Sequence, residues 1–95
     1  MYAVSYNPTS NGGYGTATGL TLEKGIAAID PIYIPYGTEM YVPGYGPALA
    51  ADTGGGVKGR MIDLGYGDDD YVSWHEWVTV YFLWPPPENV VWNVP

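Results

Sequence analysis

The stretch Ala48-Leu49-Ala50-Ala51-Asp52-Thr53-Gly54-Gly55-Gly56-Val57-Lys58-Gly59-Arg60-Met61-Ile62-Asp63-Leu64 decides the fold. Its two apolar runs, 48–51 and 61–64, are too brief for helices, and each holds or meets an aspartate, so both read as strands. Between them, Gly54-Gly55-Gly56 lets the backbone turn sharply or approach another group closely. The same grammar of brief apolar runs and turn residues extends in both directions. Upstream, Tyr2, Val4 and Tyr6 alternate with smaller residues until Asn7-Pro8 ends the strand. Thr9 to Gly15 reads as loop, Thr16 to Leu22 as a short β-branched strand, and Ile26 to Asp30 as a buried strand stopped by Pro31. Ile32-Tyr33-Ile34 reads as short and extended, and Pro35-Tyr36-Gly37 turns the chain into a strand over Glu39 to Val42. Downstream, Asp68 to Trp77 is the helix candidate, with acids at its N-terminus and Tyr71, Trp74 and Val78 on one face. Val78, Val80 and Phe82 then alternate through the clearest strand, which Pro85-Pro86-Pro87 ends. The expectation is an all-β domain over 1–84, with about six or seven strands in a closed or nearly closed barrel and one short helix before the last long strand. A Pro-rich tail over 85–95 follows it.

Composition narrows the function. Three Lys and Arg stand against ten Asp and Glu, for a net charge of −7. Neutralising phosphates takes a cluster of basic side chains, and Lys24, Lys58 and Arg60 do not supply one, so nucleic-acid binding is excluded. No apolar run has the length of a bilayer-spanning helix. Cysteine is absent, which removes disulfides and thiolate metal sites. Met1 to Pro8 lacks the basic flank and apolar core of a signal peptide, so a protein acting outside the cell would be a domain of a longer chain or have lost its signal. Ten Tyr and four Trp suit a neutral, hydroxyl-rich ligand, and equally suit an ordinary core.

Few residues can do chemistry. His75 is the sole histidine, so neither a zinc site nor a Ser-His-Asp triad has its parts, and a surface position is expected for it. Asp68-Asp69-Asp70 fits a solvated loop or cap, and its spacing is not that of an EF-hand. Gly54-Gly55-Gly56 lacks the spacing of a phosphate-binding loop. Carboxylates remain. Asp30, Asp52 and Asp63 each lie in or at the end of an apolar strand, where an acid is costly unless it is hydrogen-bonded. Capping a turn or pairing with Lys58 or Arg60 would explain them structurally, most easily for Asp30 and least easily for Asp63. Carboxylates brought together, and partly buried, hold their protons more tightly, so one of them could serve as a general acid near neutral pH. Asp52-Thr53-Gly54 is also the aspartic-protease signature, but the flanking residues disagree and Asp30 and Asp63 would be left without a purpose.

The ordered motifs resemble a known family. Gly25-Ile26-Ala27-Ala28-Ile29-Asp30-Pro31 with Ile34-Pro35-Tyr36-Gly37-Thr38, then Met40-Tyr41-Val42-Pro43-Gly44-Tyr45-Gly46, then Ala51-Asp52-Thr53-Gly54-Gly55-Gly56-Val57-Lys58-Gly59-Arg60-Met61-Ile62-Asp63-Leu64 resemble the successive signatures of the three-aspartate (3D) domain. Thr16-Ala17-Thr18-Gly19 looks like the family's upstream Thr-Gly element, and Tyr36 stands where Leu is usual. The resemblance implies a double-ψ β-barrel like that of membrane-bound lytic transglycosylases and the stationary-phase survival proteins. It also implies extracytoplasmic cleavage of the β-1,4 bond between N-acetylmuramic acid and N-acetylglucosamine in peptidoglycan strands, ending in 1,6-anhydromuramic acid. On that reading Asp63 is the catalytic acid and base, Asp52 and Asp30 assist it, and Lys58, Thr53, Tyr45, Gly54 and Thr18 meet the substrate, with no cofactor or metal. A glycan-binding module on the same barrel, doing no chemistry, is the alternative.

Overall fold

Alternation of side chains along the strands builds the architecture, which the computed structural model describes for residues 1–84. The strands are β1 (Tyr2–Tyr6), β2 (Ile26–Ala28), β3 (Glu39–Val42), β4 (Gly46–Asp52), β5 (Met61–Gly65), β6 (Glu76–Trp77) and β7 (Tyr81–Trp84). They form one sheet in the order β6-β1-β5-β2-β4-β3-β7, curled into a half-barrel. Two crossings place strands in parallel with distant partners, β1 with β5 and β2 with β4, while β2 and β5 meet antiparallel between them. This crossed connectivity agrees with the expected double-ψ arrangement. Inside the curl lie Ala3, Ala27, Ile29, Ile34, Met40, Val42, Ala50, Ile62 and Leu64. A second cluster, Tyr6, Leu22, Ile26, Ala28, Ala51 and Val57 with Leu49 and Met61 against it, covers the other face. Because strand residues alternate between faces, Ile62 and Leu64 facing the core leave Met61 and Asp63 on the second face.

Four local expectations are corrected. Residues 68–75 form no helix; the expected helix before the last strand gives way to the four-residue helix α1 (Pro8–Asn11) near the N-terminus. The reason is tertiary. Ser5 Oγ accepts the Trp74 N–H at 3.0 Å, and the Trp74 indole donates to the Tyr66 hydroxyl at 2.7 Å, pinning this segment to β1 and to the end of β5 in an irregular path. Helix α1 instead follows from Asn7 and Ser10, which cap each other's backbone N–H groups ahead of Pro8 at the first turn. Residues 16–22 are loop rather than strand, because the hydroxyls of Thr16 and Thr18 donate to the carbonyls of Leu20 and Ala51. Residues 32–34 are a turn, since Tyr33 and Ile34 both donate to the Asp30 carbonyl. Finally, the clear strand expected from Val78 begins only at Tyr81. The Pro-rich tail lies outside the described residues.

Gly65 closes the arrangement. A methyl group there would collide with the Ile26 carbonyl, so β5 and β2 approach to a distance that only glycine permits. Tyr45 then locks the same junction from below. Its buried hydroxyl donates to the Gly65 carbonyl at 2.6 Å and accepts the Gly25 N–H at 2.7 Å.

Candidate active site

The second face carries the acids. Asp63 sits opposite Ala28 on β2, and Ala28 sits opposite Asp52 on β4, so the two aspartates flank one alanine in a single row. Simple alternation along β4 would have sent Asp52 to the core side with Ala48 and Ala50. A register shift intervenes: Ala27 pairs with Ala50 but Ala28 with Asp52, skipping Ala51. The extra residue re-aims Asp52 onto the face of Asp63. Beyond it, the Val57 N–H donates to the Gly54 carbonyl at 3.0 Å, a tight turn that sends the chain back toward β5.

The three aspartates occupy different chemical states. Asp52 is buried and saturated: Oδ2 accepts the Tyr6 hydroxyl at 2.8 Å, while Oδ1 accepts the N–H groups of Ala17 and Thr53, each at 2.9 Å. Three donors and no acceptor describe a fixed anion. Burial and the bond to this anion push the Tyr6 phenol far above its ordinary range. Asp30 is also buried; Oδ1 accepts the Ile32 N–H at 3.1 Å and Oδ2 the Gly59 N–H at 2.9 Å. Those two amides, helped by the Lys58 charge, hold its carboxyl below the usual carboxylate range. Asp63 is the exception. Its Oδ1 is buried with no hydrogen-bond partner, and burial, reinforced by the Asp52 charge, raises its pKa to about 6. The acid expected from the sequence to be hardest to explain structurally is therefore the one left proton-avid and unpaired.

The other candidates separate into rim and interior. Lys58 is exposed, and its charge acts on Asp30. Thr53 is exposed beside Asp52, Gly54 opens the turn that follows, and Thr18 is exposed with its hydroxyl on the Ala51 carbonyl at 2.6 Å. Tyr45, by contrast, is an interior strut rather than a surface group: its ring is buried, packs edge-on to Tyr66 at 5.3 Å, and its hydroxyl is taken by two backbone groups. Among the described residues, the neighbouring charge that adds to the effect of burial on Asp63 is that of Asp52, not that of Asp30. His75 is exposed, and Asp68 caps the Thr9 N–H at 3.1 Å. Among the described residues no cluster of acids and histidines has the makings of a metal site, and no helix is long and apolar enough to cross a membrane.

Sequence reasoning missed Tyr6 and the Ala17 amide, which hold Asp52 in place. The alternation of β1 carries a partial signal. Val4 pairs with Asp63, so Tyr6, two residues on, shares that face, but this follows only once the parallel pairing of β1 with β5 is known.

Comparison with known proteins places this geometry in context. The family model described as the 3D domain matches residues 26–84, more than half of the chain and all three aspartates. One relative, the "Cell wall-binding protein YocH" of Bacillus subtilis (strain 168), is 48% identical over 67 residues, covering 65% of this chain and 23% of that protein. Another, the "Putative cell wall shaping protein YabE" of the same organism, is 42% identical over 67 residues, covering 65% of this chain and 16% of that protein. The chain thus spans less than a quarter of the length of either relative.

Proposed function

The chain belongs to the 3D domain family, and from that premise and the state of Asp63 we propose that it acts on the glycan of the bacterial cell wall. The reaction we propose is non-hydrolytic cleavage of the β-1,4 bond between N-acetylmuramic acid and N-acetylglucosamine. The observation that carries this reading is the buried, unpartnered Oδ1 of a carboxyl with a pKa of about 6. Such a group is part protonated near neutrality, the condition for giving a proton and taking one back.

The chemistry balances with one acid. Protonated Asp63 donates to the glycosidic oxygen as the bond to the anomeric carbon breaks. The C6 hydroxyl of the same muramic acid residue attacks that carbon, and its proton returns to the Asp63 carboxylate. The ring closes as 1,6-anhydromuramic acid, the acid is regenerated, and no water is consumed. A glycosidase using water normally needs a second carboxyl free to act as base or nucleophile. Asp52, with both oxygens occupied by three donors, is poorly suited to that part, which favours the single-acid route. Its fixed negative charge instead lies beside the centre where positive charge develops in the transition state. Lys58, Thr53, Gly54 and Thr18 form the rim that a glycan strand would meet, and Tyr45 supports the barrel beneath. The descriptions of the two relatives as cell wall-binding and cell wall-shaping support action outside the cytoplasm, at the wall.

A second reading has its own support: a glycan-binding module without chemistry. The relative described as a cell wall-binding protein favours it, and so does the openness of a half-barrel, which offers few walls to exclude water from a reacting sugar. Digestion of purified peptidoglycan, followed by mass spectrometry of the soluble products, separates the readings. Anhydromuropeptides released by the wild type and not by Asp63→Asn are expected. Reducing-end products alone would make the protein a hydrolase, and wall binding without products would leave the module.

A further inference from the structure

Resting on the glycan reading, we propose that the groove between the 16–20 loop and the 35–37 turn is a subsite for one uncharged N-acetylhexosamine unit, with the exposed Tyr36 ring as its stacking platform. The groove measures about 320 Å³; Thr18 and Leu20 form one wall, Tyr36 and Gly37 the other, and Ala50 and Ala51 lie at its base.

Three features select this ligand. The first is continuity with the acids. Ala51 directly precedes Asp52, and Thr18 directly follows Ala17, whose amide holds Asp52, so a sugar seated in the groove adjoins the carboxylate row on both chain segments. A glycan strand lying across the row would place its next unit here. The second is charge. No Asp, Glu, Lys or Arg lines the groove, in a chain whose net charge is −7. Anionic polymers meet a repulsive protein and no cation to bind them, whereas a neutral sugar meets no charge that must be desolvated. The third is the form of the walls. Tyr36 is 41% exposed and Leu20 45%, and the Tyr36 hydroxyl has no partner among the described residues. A pyranose offers a face of C–H groups to a ring and a rim of hydroxyls to a phenol, and Tyr36 supplies both needs.

The walls are also held in place beforehand. Thr18 Oγ1 is tied to the Ala51 carbonyl at 2.6 Å, the Gly37 N–H to the Ala50 carbonyl at 2.8 Å, and Thr38 Oγ1 to the Pro35 carbonyl at 2.7 Å. Both walls therefore hang from β4, the strand that presents Asp52, and binding would spend little on ordering them.

The test is a titration of the isotopically labelled chain with chitotetraose, a neutral tetrasaccharide of N-acetylglucosamine, followed by backbone amide NMR. The amides of Thr18, Leu20, Gly37 and Ala51 are expected to shift on binding. Tyr36→Ala should raise Kd about tenfold, as expected for the loss of one ring contact, with its melting temperature unchanged because the side chain is exposed. Tyr36→Trp should restore the affinity. Shifts confined to the residues around Asp63, with Tyr36→Ala binding as tightly as the wild type, would overturn the subsite while leaving the glycan reading intact. No shift at any residue up to millimolar sugar would overturn the subsite, whereas a peptidoglycan digest showing neither products nor wall binding would overturn the glycan reading itself.

Discussion

Asp30 and Asp63 begin alike, each an acid after two apolar residues, in Ala28-Ile29-Asp30 and Met61-Ile62-Asp63, and they reach opposite electrostatic states. Asp30 lies just past the end of β2, where the chain turns and backbone amides come free; Ile32 and Gly59 both aim theirs at its carboxylate. Asp63 lies in the middle of β5, which is paired on both sides, with β1 and with β2. The ladders engage the amides around it, so nothing remains to satisfy Oδ1. Identical side chains in near-identical sequence contexts thus become a turn clamp and a proton carrier. The difference is whether the local backbone has donors to spare.

The largest effect should come from removing the proton carrier. Asp63→Asn keeps the shape of the side chain but cannot shuttle a proton, so anhydromuropeptide release should fall by about 10²–10⁴-fold while wall binding persists. Full activity in this variant would end the assignment. Asp52→Asn probes the charge between the two extremes. Loss of the neighbouring anion lowers the pKa of Asp63, so the pH optimum should move down and activity at neutral pH should drop several-fold. The same change deprives the Tyr6 hydroxyl and two amides of a charged acceptor, and should cost about 1–3 kcal/mol in urea denaturation. An unchanged pH profile would show that Asp52 and Asp63 do not communicate. Asp30→Asn should lower the melting temperature by a few degrees and leave the position of the pH optimum alone, because Asp30 does not act on Asp63.

Strands with clean alternation or unbroken apolar runs were legible in the sequence: Tyr2–Tyr6, Ile26–Ala28, Glu39–Val42 and Met61–Gly65 all stand within a residue or two of expectation. The tightness of the Gly54 turn and the importance of the acid row were legible too, since buried acids and clustered glycines each demand a physical reason. What the sequence did not reveal was set by distant partners. Thr18 has the β-branching of a strand residue, yet its hydroxyl binds the Ala51 carbonyl, 33 residues on, and helps hold a loop. Asp68 to Trp77 has the acids and spacing of a helix, yet Ser5 and Tyr66, remote in sequence or across the turn, hold Trp74 in a non-helical path. Nor does a string of letters disclose the bulge at Ala51. Without that extra residue Asp52 would face the core, and the row around Ala28 would hold a single acid.

The smallest effect is the most diagnostic of the comparison, because the two aspartates should tilt the pH dependence of stability in opposite directions. Asp63 moves from 3.8 when unfolded to about 6 when folded, so between those values the native state binds more protons than the unfolded chain. Its contribution is therefore fully present below about pH 4 and is lost as pH rises toward 6, after which stability levels off. A shift of this size in a fully buried group would amount to about 3 kcal/mol, and partial exposure of Asp63 reduces it to about 1–2 kcal/mol. Asp30, held low by two amides, has the reverse sign: its contribution is present above the unfolded value of 3.8 and is lost as pH falls through the lower folded value. Denaturation midpoints from pH 3 to 8 should accordingly decline for the wild type between about pH 4 and 6, and stay flat there for Asp63→Asn. At pH 7 Asp63→Asn should be the more stable protein, by the same 1–2 kcal/mol or so, despite having lost activity; sites that hold an unpaired charge for chemistry do so against folding. Asp30→Asn should keep the decline between pH 4 and 6 and lose only the fall on the acid side. If Asp63→Asn is instead less stable than the wild type at pH 7, the Asp63 carboxylate has partners in solution, and the contrast with Asp30 on which its role as acid rests disappears.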